Sequence, residues 1–379
     1  MPSRSTDNAD QRRMLADSVA DFVGHGSDLA RVRRLRGDPQ EHDRDVWRKM
    51  GELGWLGILI PERYGGLGLG LSDMAVVAQG IGRALLPEPL TACAVLAMSA
   101  LVHGENEALK AAELPRLAAG ETLAALAWQE EPGAMDAEST RSRASPFEGG
   151  YRLSGTKRFI AGAAQADSFL VTARTDEGLA LFWMPQTSTG AALTLEPLAD
   201  GRASGTLALT DVLVPRAHLV AQGAAAGSAL GRALDHARAI AAAELTGVMG
   251  RALEMTLDYL RTRVQFGKPI GSFQALQHRA VDLHIHKEVA AAVLEEALAQ
   301  LDRDPDAAMR GAIASRVKAR CADAAAKITR ETIQMHGAIG FTDEYDAGLY
   351  LKRALTLATW LGSASAHRRR YAALTGSHA

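Results

Sequence analysis

Apolar residues recur at helical spacing through the first third of the chain. From about residue 8 to 120 they stand three and four positions apart. Segments rich in proline and glycine at 61–68 and 86–89 interrupt this pattern and predict turns between packed helices. We therefore predict an N-terminal α-helical domain over residues 1–122.

The helical pattern gives way to alternation in the middle of the chain. Apolar and polar residues alternate over 151–155, 168–172, 179–183 and 206–212, with glycine, aspartate and serine between these runs. Short strands at this spacing are typical of a β-sandwich or barrel of roughly a hundred residues. We predict such a middle β domain over residues 123–224.

The helical period returns after the β domain and continues to the end of the chain. Three long amphipathic segments cover 227–262, 273–302 and 306–336, and a shorter one covers 345–374. Four such segments predict a C-terminal four-helix bundle over residues 225–379. The fold class is therefore mostly α, with a central β domain.

Composition agrees with a folded protein of two or three domains. The chain has 379 residues, of which 47% are hydrophobic and 23% charged, so it can bury large cores and is not disordered. Its 42 basic and 44 acidic residues leave a formal charge of −2. Such a balance creates no field that gathers polyanions, so we do not expect a nucleic-acid partner.

Cysteine usage and hydropathy indicate an intracellular, soluble protein. Cys93 and Cys321 are far apart and form no CxxC motif, so we predict neither a disulfide framework nor a cysteine metal site. The most apolar stretch, 90–102, is too short to cross a bilayer. Residues 1–14 fit neither a secretory nor an organellar signal, so we expect a cytoplasmic protein without a membrane partner.

Two short motifs fit structural roles better than ligand sites. The glycines of 66–70 follow no strand and lack the third glycine of a dinucleotide loop, so we interpret them as a turn. His284, His286 and Glu288 stand at alternate positions of a predicted helix, so their side chains diverge and we predict no metal site.

Two segments carry more chemistry than a helix connection needs. The sequence RVQFGKPIGSFQ at 263–274 offers Arg263 as a multi-donor phosphate ligand and Phe266 as a face on which a base can stack. The sequence QMHGAIGF at 334–341 ends a helix with glycines, where backbone can approach a ligand closely. Each segment alone is open to a structural interpretation.

Taken together with upstream motifs, these segments resemble the acyl-CoA dehydrogenase family. The upstream motifs are GELGW at 51–55, PERYGG at 61–66 and YRLSGTKRFI at 151–160. The match follows the family's order over essentially the whole chain and agrees with the helix, β, bundle layout.

The resemblance implies a flavoprotein tetramer whose FAD lies between the β domain and the bundle, partly held by a neighbouring subunit. It implies adenosine-diphosphate contacts from Arg263, Phe266 and Gln274, pyrophosphate contacts from Gln334 and Gly337, and Phe159 beside the flavin ring. These residue types suit a dianionic pyrophosphate, which needs fixed donors and close backbone.

The reaction that the resemblance implies is α,β-dehydrogenation of an acyl-CoA thioester, with electrons passed on to an electron-transfer acceptor. A carboxylate removes the α proton while hydride leaves the β carbon for the flavin. Donors polarise the thioester carbonyl, and a dry slot holds the acyl chain against the flavin.

The glutamate base is missing from both of the positions in which the family places it. In the last helix Leu361 stands at that place, between Trp360 and Gly362 of the implied substrate pocket. In the first bundle helix the place is Ala237, followed by the expected Arg238. Of the preceding residues, Asp235 lies roughly 200° around a helix from Ala237, so it faces away. Both Asp235 and His236 nevertheless stay open as substitute bases.

Other departures concern the flavin site. Glu130 stands where the family usually has threonine, and Ala161 replaces a second hydroxyl near the flavin. A carboxylate at 130 would oppose an electron-rich reduced flavin unless it is protonated or turned outward. Ala338 replaces a glycine in the pyrophosphate loop. Whether this chain's own β domain holds FAD therefore stays open.

These features lead to one main hypothesis and two alternatives. The main one is a base-lacking acyl-CoA dehydrogenase subunit, in a homotetramer or in a mixed tetramer whose homologous partner supplies the glutamate. Family members of this kind act on bulky acyl-CoAs such as sterol side chains. The alternatives are a flavin oxidase or biosynthetic tailoring enzyme on the same fold, and a non-catalytic scaffold.

Overall fold

The computed structural model describes residues 4–26, 29–36 and 43–376. They fall into two compact units. The bundle unit comprises Met1–Val32, Ala75–Leu86 and Ala239–Ala379, and the sheet unit comprises Arg33–Met74 and Pro87–Arg238. Within the described part of the chain, no helix is both long and apolar enough to cross a membrane.

The predicted N-terminal helices are confirmed. They are α1 (Arg4–Gly26), α2 (Leu29–Leu35), α3 (Arg44–Glu52), α4 (Leu71–Ala84), α5 (Met98–Val102) and α6 (Glu107–Ala118). A π-helical segment, Leu90–Ala97, leads into α5. Helix starts follow capping chemistry, since the side chain of Asn106 accepts the N–H of Leu109 at the start of α6. The glycines after residue 64 form the predicted turn between a 3₁₀ segment and α4.

The alternating segments form one mixed sheet of eight strands. The strands are β1 (Ala124–Ala127), β2 (Arg143–Phe147), β3 (Gly150–Ala161), β4 (Ser168–Thr175), β5 (Gly178–Pro185), β6 (Ala191–Pro197), β7 (Ala203–Pro215) and β8 (Leu219–Gln222). Their order is β6-β7-β3-β2-β4-β5-β8, with β1 parallel to β4. The pairing of β2 with β4 rests on one residue pair, Arg143 with Arg174, so the sheet is weakly joined there.

Both halves of the sheet bury side chains in one core. Leu153 and Val212 from β3 and β7 belong to the same apolar cluster as Phe169 and Phe182 from β4 and β5. The rings of Tyr151 and Phe182 lie 5.1 Å apart. The sheet therefore folds over a shared core, as a sandwich or barrel does, and the predicted β domain is confirmed. Of its strands, β1, β2, β6 and β8 were not among the predicted segments.

The C-terminal helical region is also confirmed, with one correction. It contains α7 (Gly223–Thr262), α8 (Gln274–Leu301), α9 (Ala307–His336), α10 (Ala347–Thr359) and α11 (Ala364–Thr375). The last predicted helix, 345–374, is therefore two helices. The break occurs where Leu361 and Gly362 adopt φ values of +60° and +116°, which no α-helix accommodates. Ser363 then caps α11 by accepting the N–H of Ala366.

Helix α4 packs closely on α7 within the bundle unit. A Cβ atom added at Gly247 would lie 2.0 Å from the carbonyl oxygen of Gln79. One added at Gly82 would lie 2.1 Å from that of Glu244. Only glycine allows backbones to approach this closely. The strands occupy residues 124–222, and the three-domain division at 122 and 224 stays a prediction.

Candidate functional site

A two-stranded hairpin connects α7 to α8 and contains part of the first candidate ligand segment, residues 263–274. Its strands are β9 (Val264–Gln265) and β10 (Lys268–Pro269), and its two turn residues, Phe266 and Gly267, have φ values of +55° and +81°. Positive φ at both central residues is the geometry of a type I′ turn. The turn projects the ring of Phe266, which is 89% exposed, and it meets Phe273 edge-on at 6.1 Å. Arg263 and Gln274 are exposed on either side.

The second ligand segment follows the end of α9. Gln334 is exposed in the last turn, and its carbonyl accepts the N–H of Gly337. Gly337 has φ +64°, and a Cβ atom added there would meet no atom within 4 Å. The backbone therefore borders open space at Gly337, with the exposed Ala338 next to it. A ligand can approach this backbone closely.

The ends of α7 and α9 pack against each other, which brings these two segments together. The ring of Tyr259, one turn before Arg263, lies 4.4 Å from the ring of His336, next to Gly337. His336 Nδ1 donates to the carbonyl of Thr332 at 2.6 Å, so Nε2 accepts the hydroxyl of Tyr345 at 3.0 Å. Burial lowers the pKa of His336, so it is neutral at pH 7.

The turn that contains Leu361 is held by a buried lysine. Leu361 is 4% exposed, and the half-buried Trp360 precedes it. Lys318 on α9 is 0% exposed, and its Nζ donates to the carbonyls of Leu357, Ala358 and Gly362 at 2.8, 3.3 and 3.4 Å. The sequence analysis missed Lys318, which stands between Arg316 and Arg320 and so does not stand out in the sequence as a buried cation.

The structure does not bring this turn to the end of α9 that bears the second segment. Lys318 and Gln334 are sixteen residues apart on the same helix, which at 1.5 Å per residue is about 24 Å. The residues expected to contact adenosine diphosphate and the position expected to carry the base therefore occupy separate parts of the bundle unit.

The second base position, Ala237, lies on the part of α7 that belongs to the sheet unit. Ala237 is 0% exposed. Arg238, 1% exposed, donates Nη1 to Oδ1 of Asp235 at 2.9 Å and Nη2 to the carbonyl of Met135. The carboxylate of Asp235 is thus engaged by the arginine, which also ties down the loop after β1.

His236 belongs to a small polar cluster. Its Nδ1 lies 3.1 Å from the hydroxyl of Ser99 on α5, and its ring meets His103 edge-on at 5.8 Å. Ser99 is 4% exposed and lies among apolar neighbours. An imidazole beside the base position is therefore held in place by a buried hydroxyl.

Glu130 adopts neither arrangement that the sequence analysis considered. Its Oε1 accepts Nζ of Lys157 at 2.5 Å, and its carboxylate also accepts the N–H groups of Arg141 and Ser142 at 2.7 and 3.0 Å. Lys157 in turn donates to the hydroxyl of Thr172 at 2.9 Å. Glu130 is therefore ionised and paired with a buried cation, rather than protonated or turned outward.

Two opposing effects, burial and ion pairing, determine the pKa values of Glu130 and Lys157. Burial by itself would raise the pKa of Glu130, but Lys157 and the two backbone donors hold it below 4.5. Burial lowers the pKa of Lys157 to about 8, against the opposing effect of Glu130. At pH 7 both groups are charged, and their charges cancel locally.

Phe159 lies two residues after Lys157, at a β-bulge. The register of β3 against β7 shifts between Lys157 and Ile160, and Phe159 has φ +57°. Such a bulge redirects a side chain that would otherwise alternate with its neighbours. The half-buried Phe159 ring lies under the guanidinium of Arg158 at 5.1 Å, and Ala161 ends the strand without a hydroxyl.

Another buried ion pair was missed by the sequence analysis. Glu244 on α7 accepts Nε and Nη2 of Arg353 on α10 at 2.9 and 2.5 Å. The side chains are 4% and 12% exposed. The carboxylate is thereby held as the partner of a cation within the bundle unit.

The three residues considered as metal ligands lie on α8. Nε2 of His286 is 2.8 Å from Nζ of Lys327, whereas His284 lies 3.7 Å from Glu288. Across residues 4–26, 29–36 and 43–376, no three or more histidine, cysteine, aspartate or glutamate residues are grouped so that they could hold a metal ion.

Comparisons with known proteins cover nearly the whole chain. Residues 9–121 match the model of the acyl-CoA dehydrogenase N-terminal domain, and 227–374 match that of the C-terminal domain. Acyl-CoA dehydrogenase IpdE2 of Mycobacterium tuberculosis is 30% identical over 353 residues, which cover 91% of each chain.

Two of the solved structures that are similar to this chain are each 28% identical to it. A variant of the steroid ACAD Tcur3481–Tcur3483 is 28% identical, with a TM-score of 0.87 over 97% of this chain and 98% of that one. The ChsE4–ChsE5 complex of Mycobacterium tuberculosis is 28% identical, with a TM-score of 0.86 over the same shares.

Proposed function

Because the chain belongs to the acyl-CoA dehydrogenase family, we propose that it is an FAD-dependent subunit that binds acyl-CoA without itself removing the α proton. The observation that carries this proposal is the pair of buried apolar residues, Leu361 and Ala237, at 4% and 0% exposure. A hydrocarbon side chain cannot accept a proton. Loss of a positioned base costs on the order of 10²–10⁴ in rate.

Nearby carboxylates do not make good substitutes. Asp235 is held by Arg238 at 2.9 Å, and Glu130 is held by Lys157. Pairing with Lys157 lowers the pKa of Glu130 and so weakens its tendency to take a proton. His236 is the remaining candidate near Ala237, and the experiment below tests it.

The exposed residues of the bundle unit fit the adenosine-diphosphate part of FAD. Arg263 would pair with phosphate, the Phe266 ring would cover the adenine, and Gln274 would add a hydrogen bond. Gln334 and the open backbone at Gly337 would hold the pyrophosphate. All five residues lie at the surface or border open space, as expected if they serve FAD shared with a neighbouring subunit.

Residues of the sheet unit fit the flavin ring less completely. Phe159 would lie beside the ring, whereas Ala161 offers no hydroxyl to hydrogen-bond it. Glu130 adds no uncompensated negative charge there because Lys157 neutralises it. When bound, FAD would supply the two-electron acceptor for the reaction.

The turn around Leu361 would still be able to polarise the thioester carbonyl, although Leu361 cannot act as the base. A thioester carbonyl can be polarised by a backbone N–H, which substitution of a side chain leaves in place. Trp360 and Gly362 would flank the acyl group beside this N–H. The chain would therefore still bind and orient acyl-CoA, and the partner's glutamate would complete a site.

The relatives favour a bulky acyl group and a mixed assembly. One similar structure is a steroid ACAD, and another is a complex of two named chains. We propose that the substrate class is a sterol-derived or comparably bulky acyl-CoA. We further propose a heterotetramer with a homologous subunit, with electrons leaving to an electron-transfer protein.

The test is flavin reduction by acyl-CoA in the absence of oxygen. The chain is purified alone and with a homologous chain from its genome, and acyl-CoA is added while visible flavin absorbance is recorded. Bleaching is expected with the partner, and also in Leu361→Glu or Ala237→Glu. The matched controls Leu361→Gln and Ala237→Gln add the same bulk without a base, so they should not bleach.

Other results would contradict the proposal. Rapid bleaching of the unpaired wild-type chain that His236→Gln abolishes would place a base in this subunit. Oxygen consumption with a substrate that is not a thioester would indicate an oxidase or tailoring enzyme. Colourless protein that gains no thermal stability from added FAD would indicate a scaffold, because a ligand bound only by the folded state raises stability.

A further inference from the structure

The ammonium of Lys318 joins the end of α10 to the turn that follows it. Nζ donates to the carbonyls of Leu357 and Ala358, within the last turn of α10, and to that of Gly362 beyond it. Lys318 comes from α9 and is 0% exposed. We infer that Lys318 is the positioning residue of the Leu361 turn, and that it sets the direction of the backbone N–H expected to bind the thioester carbonyl.

The three carbonyls that accept hydrogen bonds from Lys318 give the first physical reason for assigning it this positioning role. The last four carbonyls of a helix have no N–H partner within the helix, and they carry the negative end of its dipole. A buried ammonium there satisfies carbonyls and opposes the dipole at once. Because the third acceptor is Gly362, the same cation also fixes where the chain goes after α10 ends.

The second reason is the conformation of Leu361. Its φ of +60° is left-handed, which costs a residue with a side chain about 1–2 kcal/mol. Such a conformation persists only where its surroundings determine it. The N–H of Gly362 donates to Thr359 at 3.2 Å, and that of His367 donates to Ser363 at 3.0 Å. Lys318 adds a link from this turn to a different helix.

These contacts connect Lys318 to substrate through the backbone alone, so this inference rests on the proposed function. If the peptide N–H of Leu361 polarises the thioester carbonyl, its direction depends on a turn held on both sides by one cation. Small displacements of a positioned donor are costly, because a misplacement of about 1 Å can lose on the order of 10²-fold in rate. Lys318 would therefore affect binding of the carbonyl and leave binding of the rest of acyl-CoA unchanged.

The test compares ligands with and without that carbonyl. Octanoyl-CoA and its thioether analogue S-octyl-CoA are titrated against wild-type protein and Lys318→Met by calorimetry. We expect the variant to bind octanoyl-CoA about tenfold more weakly, the loss of one good hydrogen bond. Its affinity for S-octyl-CoA should be unchanged. The infrared carbonyl stretch of bound octanoyl-CoA should shift back toward its value in water.

Lys110→Met is the matched control. Lys110 is 4% exposed and donates to the carbonyl of Gly104 at 2.9 Å, in the sheet unit. Its loss should lower thermal stability without changing the preference for octanoyl-CoA over S-octyl-CoA. A merely structural role for Lys318 would give the same pattern as Lys110, and that result would overturn the inference.

Two further outcomes separate this inference from the proposed function. A wild-type protein that binds octanoyl-CoA and the thioether equally well contradicts the part of the proposed function in which the Leu361 turn polarises the thioester carbonyl. A wild-type preference that Lys318→Met keeps in full contradicts only the role of Lys318. If Lys318→Met does not fold, amide hydrogen exchange at Gly362 of the wild-type protein is measured instead. A positioned turn requires slow exchange there. Exchange at the rate of an open chain would overturn the inference.

Discussion

The ammonium of Lys157 lies 2.5 Å from Oε1 of Glu130, on side chains that are 0% and 9% exposed. The two residues are 27 positions apart in the chain. The hydroxyl of Thr172 accepts another hydrogen bond from the same ammonium. A carboxylate that looks misplaced beside a flavin is thus the partner of a buried cation. Each charge offsets part of the free-energy cost of burying the other. Two predictions follow from this compensation.

Removal of the cation should destabilise the fold strongly. Lys157→Met leaves the Glu130 carboxylate buried without its charge partner, and breaking a buried pair from one side costs about 3–5 kcal/mol. The free energy of unfolding, measured in urea at pH 7, checks this value. The double variant with Glu130→Leu should recover most of the loss, since two apolar residues leave no charge unpaired. A double variant no more stable than the single one would contradict this account.

The pair of Lys157 and Glu130 also predicts how the free energy of unfolding depends on pH. The pKa of Glu130 in the folded protein lies below its ordinary 4.5, so the folded state binds fewer protons than the unfolded chain as pH falls through 4.5. Its contribution is therefore complete above pH 4.5 and lost as pH falls through the folded value. In Lys157→Met, burial should raise the pKa of Glu130. The folded variant then binds a proton at a higher pH than its unfolded chain does, so the stability lost in Lys157→Met should be partly regained as pH falls from 7 toward 4. Urea midpoints of the variant and the wild type, measured over this range, should therefore move closer together.

The contact between α4 and α7 gives a prediction with an internal control. At Gly247 an added Cβ would lie 2.0 Å from the carbonyl oxygen of Gln79, so Gly247→Ala forces two backbones apart. We expect a loss of about 1–3 kcal/mol, as for other overpacked sites. Gly250, one turn later on α7, has no atom within 4 Å of such a Cβ. Gly250→Ala should raise stability by about 1 kcal/mol through helix propensity. Thermal unfolding of the two variants checks the opposite signs.

We expect Phe266 to lower the stability of the flavin-free protein while strengthening the binding of FAD. It occupies a left-handed turn position at φ +55° with its ring 89% exposed, so the ring contributes little burial and the backbone is strained. Phe266→Asn suits the first position of a type I′ turn before Gly267 and should add about 1 kcal/mol to the stability of flavin-free protein. The affinity for FAD, measured by fluorescence, should fall.

Phe341 provides the comparison for that prediction. It is 78% exposed but is not among the residues with positive φ. Phe341→Asn should therefore leave the stability of flavin-free protein within about 0.5 kcal/mol of the wild-type value. A similar gain from both substitutions would show that exposure, and not backbone strain, was responsible.

Hydrophobic period predicts which stretches are helix or sheet, but not where a helix breaks. Residues 345–374 continue the helical pattern through Leu361 and Gly362, and the two helices became visible only in the structure. The reason is that φ at Leu361 depends on contacts such as those of Lys318, 39 positions from Leu357. Apolar spacing does not encode such contacts.

The two candidate ligand segments could be picked out from the sequence because their chemistry is local, and their contacts with FAD stay a prediction. Arg263, Phe266 and Gln274 lie within one short connection, and the structure exposes them together. Lys157 and Lys318 were missed because each acts on partners far along the chain, and because neighbouring arginines make each resemble an ordinary surface cation in the sequence. The sequence likewise gave no sign that Glu130 would turn toward Lys157.

The pairing of Glu244 with Arg353 gives the last prediction. Both side chains are nearly buried, at 4% and 12% exposure, and lie on α7 and α10 of the bundle unit. Arg353→Met should cost about 3–5 kcal/mol because it removes from a buried carboxylate the cation that pairs with it. The free energy of unfolding in urea at pH 7 measures the loss.

An exposed pair in the same unit shows whether burial is the cause. Arg83 and Glu254 also form a close pair, with two contacts of 2.6 Å, but their side chains are 48% and 44% exposed. Water and salt screen such a pair, so Arg83→Met should cost about 1 kcal/mol or less. The cost of Arg353→Met should also hardly change between low and high salt, whereas that of Arg83→Met should shrink. Equal costs for both variants would mean that desolvation does not control the strength of these pairs, and the argument made for Lys157 and Glu130 would fail with it.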